Sequence, residues 1–524
     1  MRYIIGSGPA GVACASALLA RGQKITMLDA GLELEPAKVA FTRSLAAKKS
    51  TAWTAADRSA LKSKMDATAS GIGLKLLFNS DFPYRETDDL IPWQAPGLGV
   101  RPSLALGGLS NVWGAAMLPH RDADIADWPV TNADLAPHYR AVAEMTDLAA
   151  DADDLAEWFP LHAPRSSALR TSEQAGMLLH NLNRQREKLR AAGWRFGRSR
   201  LAVRATDTTA ASGCGYCREC MGGCVYGCIY NSANTVRQLL NHPNFSYRRN
   251  VIVRTLRETG GTIVIEGFDR STRENLTFTA SRAYLAAGVI PTAQIFLRSQ
   301  NAYDRPLILR DSQYFLLPLL LARRARDVHR EALHTLSQLF IEINQPQLSR
   351  HTVHLQLYSY SDIIGAALEK SLGPLKFLAP QLAGRMIIIQ GFLHSNESAT
   401  MAMTLKAGNG KDRLELTAVP QPAAHATVKR VVRELLKHSR ALGGMVVPPM
   451  LQIADPGRSF HTGGSLPMRS QPGEFECDQL GRPRGWSQLH LVDASVLPSI
   501  PATTITFAAM ANAHRIGWES AALE

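Results

Sequence analysis

The chain has 524 residues, 45% hydrophobic and 20% charged, with 58 Lys and Arg against 45 Asp and Glu, a net charge of +13. That length carries two or three domains, or one large domain with an insertion. The positive balance fits an anionic substrate, a negative membrane surface or an acidic redox partner, while the lack of a Lys/Arg-rich tract with interleaved aromatics argues against nucleic acid.

The first thirty residues read as a βαβ unit. Met1 to Ile5 is a short apolar strand, Gly6-Ser-Gly8-Pro-Ala-Gly11 follows, an alanine-rich helix runs to Arg21, and a second strand ends on Asp29. This is the dinucleotide fingerprint in its proper setting. Gly6 permits the tight turn, Gly8 admits a pyrophosphate, and Gly11 lets helix and strand approach. The helix N-terminus then faces phosphate, and Asp29 can accept the ribose hydroxyls.

Residues 32–95 are polar and partly helical in pattern. The stretch Leu106-Gly107-Gly108-Leu-Ser110-Asn111-Val-Trp113-Gly114 suggests a loop that approaches a ligand closely. Residues 171–192 have an amphipathic helical pattern. Strand patterns at 246–253 and 262–268 precede Ala286-Ala287-Gly288 and a helix over 292–299. Between 306 and 450, the runs 336–343, 352–360, 386–394, 400–406 and 413–419 alternate as strands and are expected to form one antiparallel sheet. In the run 352–360, His354, Gln356 and Tyr358 share one face and Val353, Leu355 and Leu357 the other, which makes the polar face a candidate substrate wall. A helix over 424–442 leads to Ser459-Phe-His461-Thr-Gly463-Gly464-Ser465, then Asp493-Ala-Ser495 and an alanine-rich closing helix.

No run reaches the eighteen apolar residues of a spanning helix. The longest candidate, residues 314–322, contains Pro318 and precedes Arg323, Arg324 and Arg326, a pattern open to peripheral membrane contact as well as to burial. A nucleotide-binding strand at the first residue predicts no signal peptide and a cytoplasmic location.

Five of the seven cysteines fall between Cys214 and Cys228. Cys214, Cys217, Cys220 and Cys224 follow C-x2-C-x2-C-x3-C, the ligand spacing of bacterial ferredoxins, with Cys228 close behind. Thiols so close together in a reducing compartment point to an iron–sulfur cluster, to zinc, or to buried thiols without metal.

Four stretches match one family in order: Gly6-x-Gly8-x-x-Gly11 with Asp29, Gly107-Gly108-x-Ser110-Asn111, Leu285-Ala-Ala287-Gly288, and His461-x-x-Gly464-Ser465 with Asp493-x-Ser495. The chain resembles the glucose–methanol–choline (GMC) flavoprotein oxidoreductases, closest in style to the cysteine-containing sugar and alcohol dehydrogenases. The resemblance implies an α/β protein, α+β overall, with a Rossmann-like FAD-binding domain and a substrate domain built on an antiparallel sheet. The expected divisions are a first FAD-binding part (1–150), a helical linker or cap (151–213), the cysteine segment with a second FAD-binding part (214–305), the substrate domain (306–455) and a C-terminal FAD-binding part (456–524). FAD is expected against Gly6, Gly8, Pro9, Ala10, Gly11, Asp29, Ala30, Gly107, Gly108, Ser110, Asn111, Val251, Ala287, Gly288, Asp493, Ala494 and Thr504.

The implied reaction takes hydride from a sugar or other alcohol to flavin N5, with His461 as the base and electrons handed to a carrier. Other readings stay open: a reductase or isomerase fed through the cysteines, or a redox-sensing flavoprotein. The family's second histidine or asparagine is missing, because Ile500 or Ala502 stands in its place; Thr503, Thr504 or a residue from another strand are the candidate substitutes.

Overall fold

The computed structural model describes residues 1–61, 74–163, 166–209, 211–408 and 412–523. The remainder of the polar 32–95 stretch, residues 62–73, lies outside them.

The strand Arg2–Ile5 is the middle of a five-stranded parallel sheet. Its order is 489–491, 282–285, 2–5, 25–28, 245–248. The three inner strands are mostly apolar and mostly buried, as parallel sheets covered on both faces require, with Arg2, Tyr3 and Thr26 partly exposed. The helix Pro9–Ala20 makes the crossover and begins on a proline, whose missing N–H has no helical partner in any case. The closing helix Ile505–Ser520 packs along it. Gly517 lies where a Cβ would come within 2.9 Å of the Cys14 carbonyl and 3.2 Å of the Ala17 methyl, so small residues on both helices set the approach.

A second, antiparallel sheet has the order 444–446, 314–321, 386–392, 353–358, 339–343, 194–198, with Gln452–Ile453 pairing beside it. One face is Leu, Ile, Val and Phe. It packs with apolar residues of the helices Glu173–Arg184 and Pro422–Lys437 in one core. The other face carries Tyr314, Phe392, His354, Gln356 and Tyr358, so the two-residue period expected for the run 352–360 is realised.

A third sheet has the order 462–463, 306–311, 400–406, 413–419, 93–94. The single sheet expected from residues 336–419 is therefore two. The chain leaves the second sheet after Phe392 at the turn Ser395–Glu397, which is held by Ser395 N–H donating to the Ile500 carbonyl at 2.8 Å, and Thr400–Lys406 then pairs with Pro306–Asp311. Alternation specifies strands but not their partners, which are chosen by long-range packing.

Two further stretches are resolved by the fold. The 151–213 stretch holds helices, yet it also supplies Trp194–Arg198 as a strand of the second sheet. The apolar run at 314–322 is the strand Tyr314–Leu321, paired on both sides and largely buried, and so offers no surface to a membrane. Among the described residues no helix is long and apolar enough to cross a membrane.

Candidate flavin cleft and histidine site

At the carboxyl ends of the parallel strands a cleft opens, lined by Gly6, Gly8, Pro9, Ala10, Asp29, Gly108, Ala287, Gly288, Asp493 and Ala494 of the expected set. Sequence reasoning missed Arg101, Ser103, Phe460, Thr462 and Thr506, which line it too. Gly6 and Gly8 differ in kind. Gly6 has φ +104°, and a Cβ there would overlap the Ala286 carbonyl. Gly8 has ordinary dihedrals at the helix N-cap, and a Cβ would meet nothing within 4 Å. Only Gly8 therefore leaves space that a phosphate can take, beside the helix N–H groups.

The other expected residues stand behind the cleft. Gly11 packs on the Gly6 carbonyl. Val251 N–H donates to the Asp29 carbonyl at 2.9 Å, beside Ala30. Gly107 N–H donates to Ser7 Oγ at 2.9 Å, and Ser7 Oγ donates to Asp29 Oδ2 at 2.7 Å. Ser110 Oγ donates to the Gly107 carbonyl at 2.6 Å, and Asn111 Nδ2 to the Gly108 carbonyl at 2.7 Å, so both side chains shape the loop rather than project from it.

Asp493 behaves alike. Its carboxylate accepts Gly288 N–H at 2.9 Å, Thr292 Oγ at 2.6 Å and Ser495 N–H at 2.9 Å, pinning two loops at the cleft floor. Burial raises its pKa, and raises that of Asp29 to about 6. The donor set fits FAD: a glycine opening at a helix N-terminus, a carboxylate at the second strand end, and a cleft running toward Thr462.

His461 borders the cleft. Asp311 builds its loop by accepting Gly457 N–H at 2.6 Å and Ser459 Oγ–H at 2.5 Å, and Ser459 Oγ in turn accepts His461 N–H at 2.8 Å. Phe460 between them has φ +57°, a left-handed conformation that costs a non-glycine residue of order 1 kcal/mol or more. The imidazole stacks on Phe392 with centroids 4.7 Å apart. Its Nδ1 is buried without a partner among the described residues, while the side chain as a whole is only half-buried and so faces interior space. Burial, with His354 and His120 nearby, lowers its pKa to about 3, so the ring is neutral at physiological pH.

The place of the missing second polar residue is apolar, as the sequence indicates. Ile500 and Ala502 are buried, and Ala502 packs with Tyr314 and Phe392. Thr503 Oγ is bonded to His120 Nδ1 at 2.8 Å, and Thr504 Oγ accepts Leu118 N–H at 3.1 Å. His120 Nε2 is buried without a partner among the described residues. Nothing in the segment Pro119-His120-Arg121 marks this histidine in the sequence.

On the second sheet, side chains form a directed chain of hydrogen bonds. Tyr358 O–H donates to Gln356 Oε1 at 2.8 Å. Gln356 Nε2 lies 3.1 Å from His354 Nε2, and His354 Nδ1 lies 2.6 Å from Glu342 Oε1. An amide nitrogen only donates, so His354 Nε2 accepts and its proton sits on Nδ1, given to Glu342. The phenol proton of Tyr358 is thereby committed inward, and its oxygen is left as an acceptor. A Cβ on Gly114, in the loop after Asn111, would lie 3.7 Å from that oxygen, so Tyr358 reaches across to the nucleotide domain.

The five clustered cysteines, Cys214, Cys217, Cys220, Cys224 and Cys228, line one small cavity with His334, and all are free thiols. Backbone N–H groups aim at two of the sulfurs: Cys228 to Cys224 Sγ at 3.2 Å and Thr335 to Cys220 Sγ at 3.4 Å. Lys75 lies near both, and burial lowers its pKa to about 8. Among the described residues no three His, Cys, Asp or Glu side chains form a group that could hold a metal ion.

A parallel sheet with a glycine-rich βα turn, an antiparallel second sheet and a histidine bordering the cleft form an arrangement that can hold a flavin beside a base. Residues 424–513 match the family model for GMC oxidoreductase. Among solved structures, the fold is similar to pyridoxine 4-oxidase from Mesorbium loti, with a TM-score of 0.61 and 14% identity over 99% of this chain and 98% of that one. No curated protein matches the sequence. The motifs, the match over residues 424–513 and the similar fold together support an FAD-dependent oxidoreductase acting on CH–OH donors.

Proposed function

We propose that the protein is a dehydrogenase that oxidises a hydroxyl of a sugar or other alcohol and hands the electrons to a carrier. The observation that carries this is His461: a neutral imidazole, half-buried, oriented by Ser459 and Phe392, at the edge of the flavin cleft. A neutral ring is the form that accepts the hydroxyl proton. Bound FAD supplies the hydride acceptor.

His120, held by Thr503, takes the place of the absent second polar residue, and Thr503 acts through it. Tyr358, Gln356 and His354 form the substrate wall, where the Tyr358 oxygen accepts a hydrogen bond from the substrate. Gly8, Asp29 and the loop around Gly108 hold the cofactor.

Electron transfer to a carrier is proposed on the cysteines. Ferredoxin spacing and amide N–H groups directed at sulfur are the reasons for proposing an iron–sulfur cluster on Cys214, Cys217, Cys220 and Cys224 or Cys228, whose side chains would have to draw together around it, since as placed they form no metal-holding group. Free thiols fit a reducing compartment, the cytoplasm. The similar solved structure is named an oxidase; the thiol cavity is the reason for proposing a carrier here.

The test is His461→Ala, mixed anaerobically with a panel of sugars and alcohols. It should retain FAD and reduce it about 10²–10⁴ times more slowly than wild type. Unchanged flavin reduction would place the base elsewhere.

A further inference from the structure

Between Val353–Tyr358 and Met386–Phe392 the chain leaves the substrate sheet as two helices, Asp362–Leu372 and Ala379–Ala383, joined by the turn Gly373–Leu378. The inner side of this excursion is accounted for, since Leu368, Ala379 and Ala383 pack with Ala325, Val328 and Met386. The tip is not. Leu375 is 52% exposed and Phe377 69%, the largest value for a big apolar side chain among the described residues.

Exposed cations lie on the excursion and on the loop at its base, and outnumber the exposed acids Glu369 and Asp327 beside them. Lys370 and Lys376 belong to the excursion itself. The loop bearing exposed Arg323, Arg324 and Arg326 runs alongside, tied by Ala325 N–H donating to the Gly384 carbonyl at 2.9 Å. We propose that the turn Gly373–Leu378 docks the protein on an anionic lipid surface. Phe377 and Leu375 enter the acyl boundary while the lysines and arginines stay among the phosphates, which is how monotopic segments divide their two chemistries.

The position of the turn in the fold gives docking a use. Cross-strand rows on one sheet face run from His354, Phe392 and Tyr314 beside His461 to Met386 and Leu320, packed with the excursion, and Met445 beside Leu320. Six residues of strand separate the two ends, roughly 20 Å. Met445 at the outer end is itself 61% exposed. Docking sets this end at the lipid interface, so the alcohol class it favours is one that partitions into membranes. That choice of substrate rests on the oxidation reading above; docking does not.

The experiment is sedimentation of the FAD-loaded protein with vesicles of phosphatidylcholine alone or mixed equally with phosphatidylglycerol. Wild type should sediment with the mixed vesicles, remain free with phosphatidylcholine, and be released by high salt. Leu375→Ser with Phe377→Ser, and separately Lys370→Glu with Lys376→Glu, should each weaken partitioning about tenfold or more, with FAD content and Tm unchanged. Wild type left in the supernatant, or a serine variant that sediments like wild type, would overturn the proposal. Sedimentation with native membranes but not with protein-free vesicles would also overturn it, in favour of a protein partner. Flavin that stays oxidised with every alcohol, in protein that still binds the vesicles, would count against the oxidation reading alone.

Discussion

The two fingerprint glycines should fail in different ways, and the contrast tests the cofactor assignment. Gly8 has N-cap dihedrals open to any residue, and its Cβ direction is empty. Gly8→Glu should therefore fold, with apoprotein stability within about 0.5–1 kcal/mol of wild type, because a carboxylate at a helix N-terminus is mildly favourable. That carboxylate would occupy the space of the pyrophosphate. Two like charges about 4 Å apart at an effective dielectric near 20 repel by about 4 kcal/mol, on the order of a thousandfold in FAD affinity. Gly6→Ala meets the Ala286 carbonyl at φ +104°, with backbone on both sides and nothing flexible to yield. It should destabilise the fold by roughly 3 kcal/mol or more, whether or not FAD is present. The assay is FAD stoichiometry from the absorption spectrum beside thermal unfolding of the apoproteins. Folded Gly8→Glu with wild-type FAD affinity would refute the nucleotide assignment, and Gly6→Ala with wild-type Tm would refute the packing argument.

Two other outcomes are expected. Cys220→Ser should leave anaerobic flavin reduction intact and stop transfer to an added carrier; metal and sulfide analysis of anaerobically prepared wild type decides independently, since full FAD without iron or sulfide would leave the thiols as packing. Stability should fall on acidification. His120 and His461 are pushed down to about 3, and His138, His162, His334, His394, His490 and His514 to about 4, all chiefly by burial. Their folded values lie below the unfolded value of about 6.5, so this stability is complete above that pH and is lost as pH falls toward 4. Asp29, Asp153 and Asp311, pushed up to about 6, 6 and 7, act in the opposite sense and reduce the net effect. Denaturant midpoints should drop between pH 7 and pH 5, with several protons taken up on unfolding; a flat profile would contradict neutral buried histidines.

What the sequence made legible was local. The first βαβ unit is written in consecutive residues, and the loops at Gly107, Gly288 and His461 carry their glycines beside the groups they position. The partners of those loops are written elsewhere. His120 lies in a segment with no motif and meets Thr503, 383 residues away, only through the tertiary fold. Phe392 and Glu342 look like ordinary strand residues until the register sets one beside His461 and the other against His354. Ser110, Asn111 and Asp493 stand in motifs expected at the cofactor, and their side chains are spent on holding loops. Splitting one expected sheet into two has the same cause: period identifies a strand, while tertiary packing chooses its neighbour.

The parallel sheet also sets a timetable. Its middle strand, residues 2–5, is flanked by residues 282–285, and these by 489–491. During synthesis at about 5–20 residues per second, the opening strand leaves the ribosome roughly half a minute to a minute and a half before the last of these strands exists. The closing helix Ile505–Ser520, which covers Pro9–Ala20, arrives later still. A nascent chain therefore carries the fingerprint with its apolar strand uncovered and no finished cleft. FAD has a site to fill only once these late segments have emerged, and a protein lacking the strand 489–491 and the helix Ile505–Ser520 would lose that site while keeping every glycine of the fingerprint.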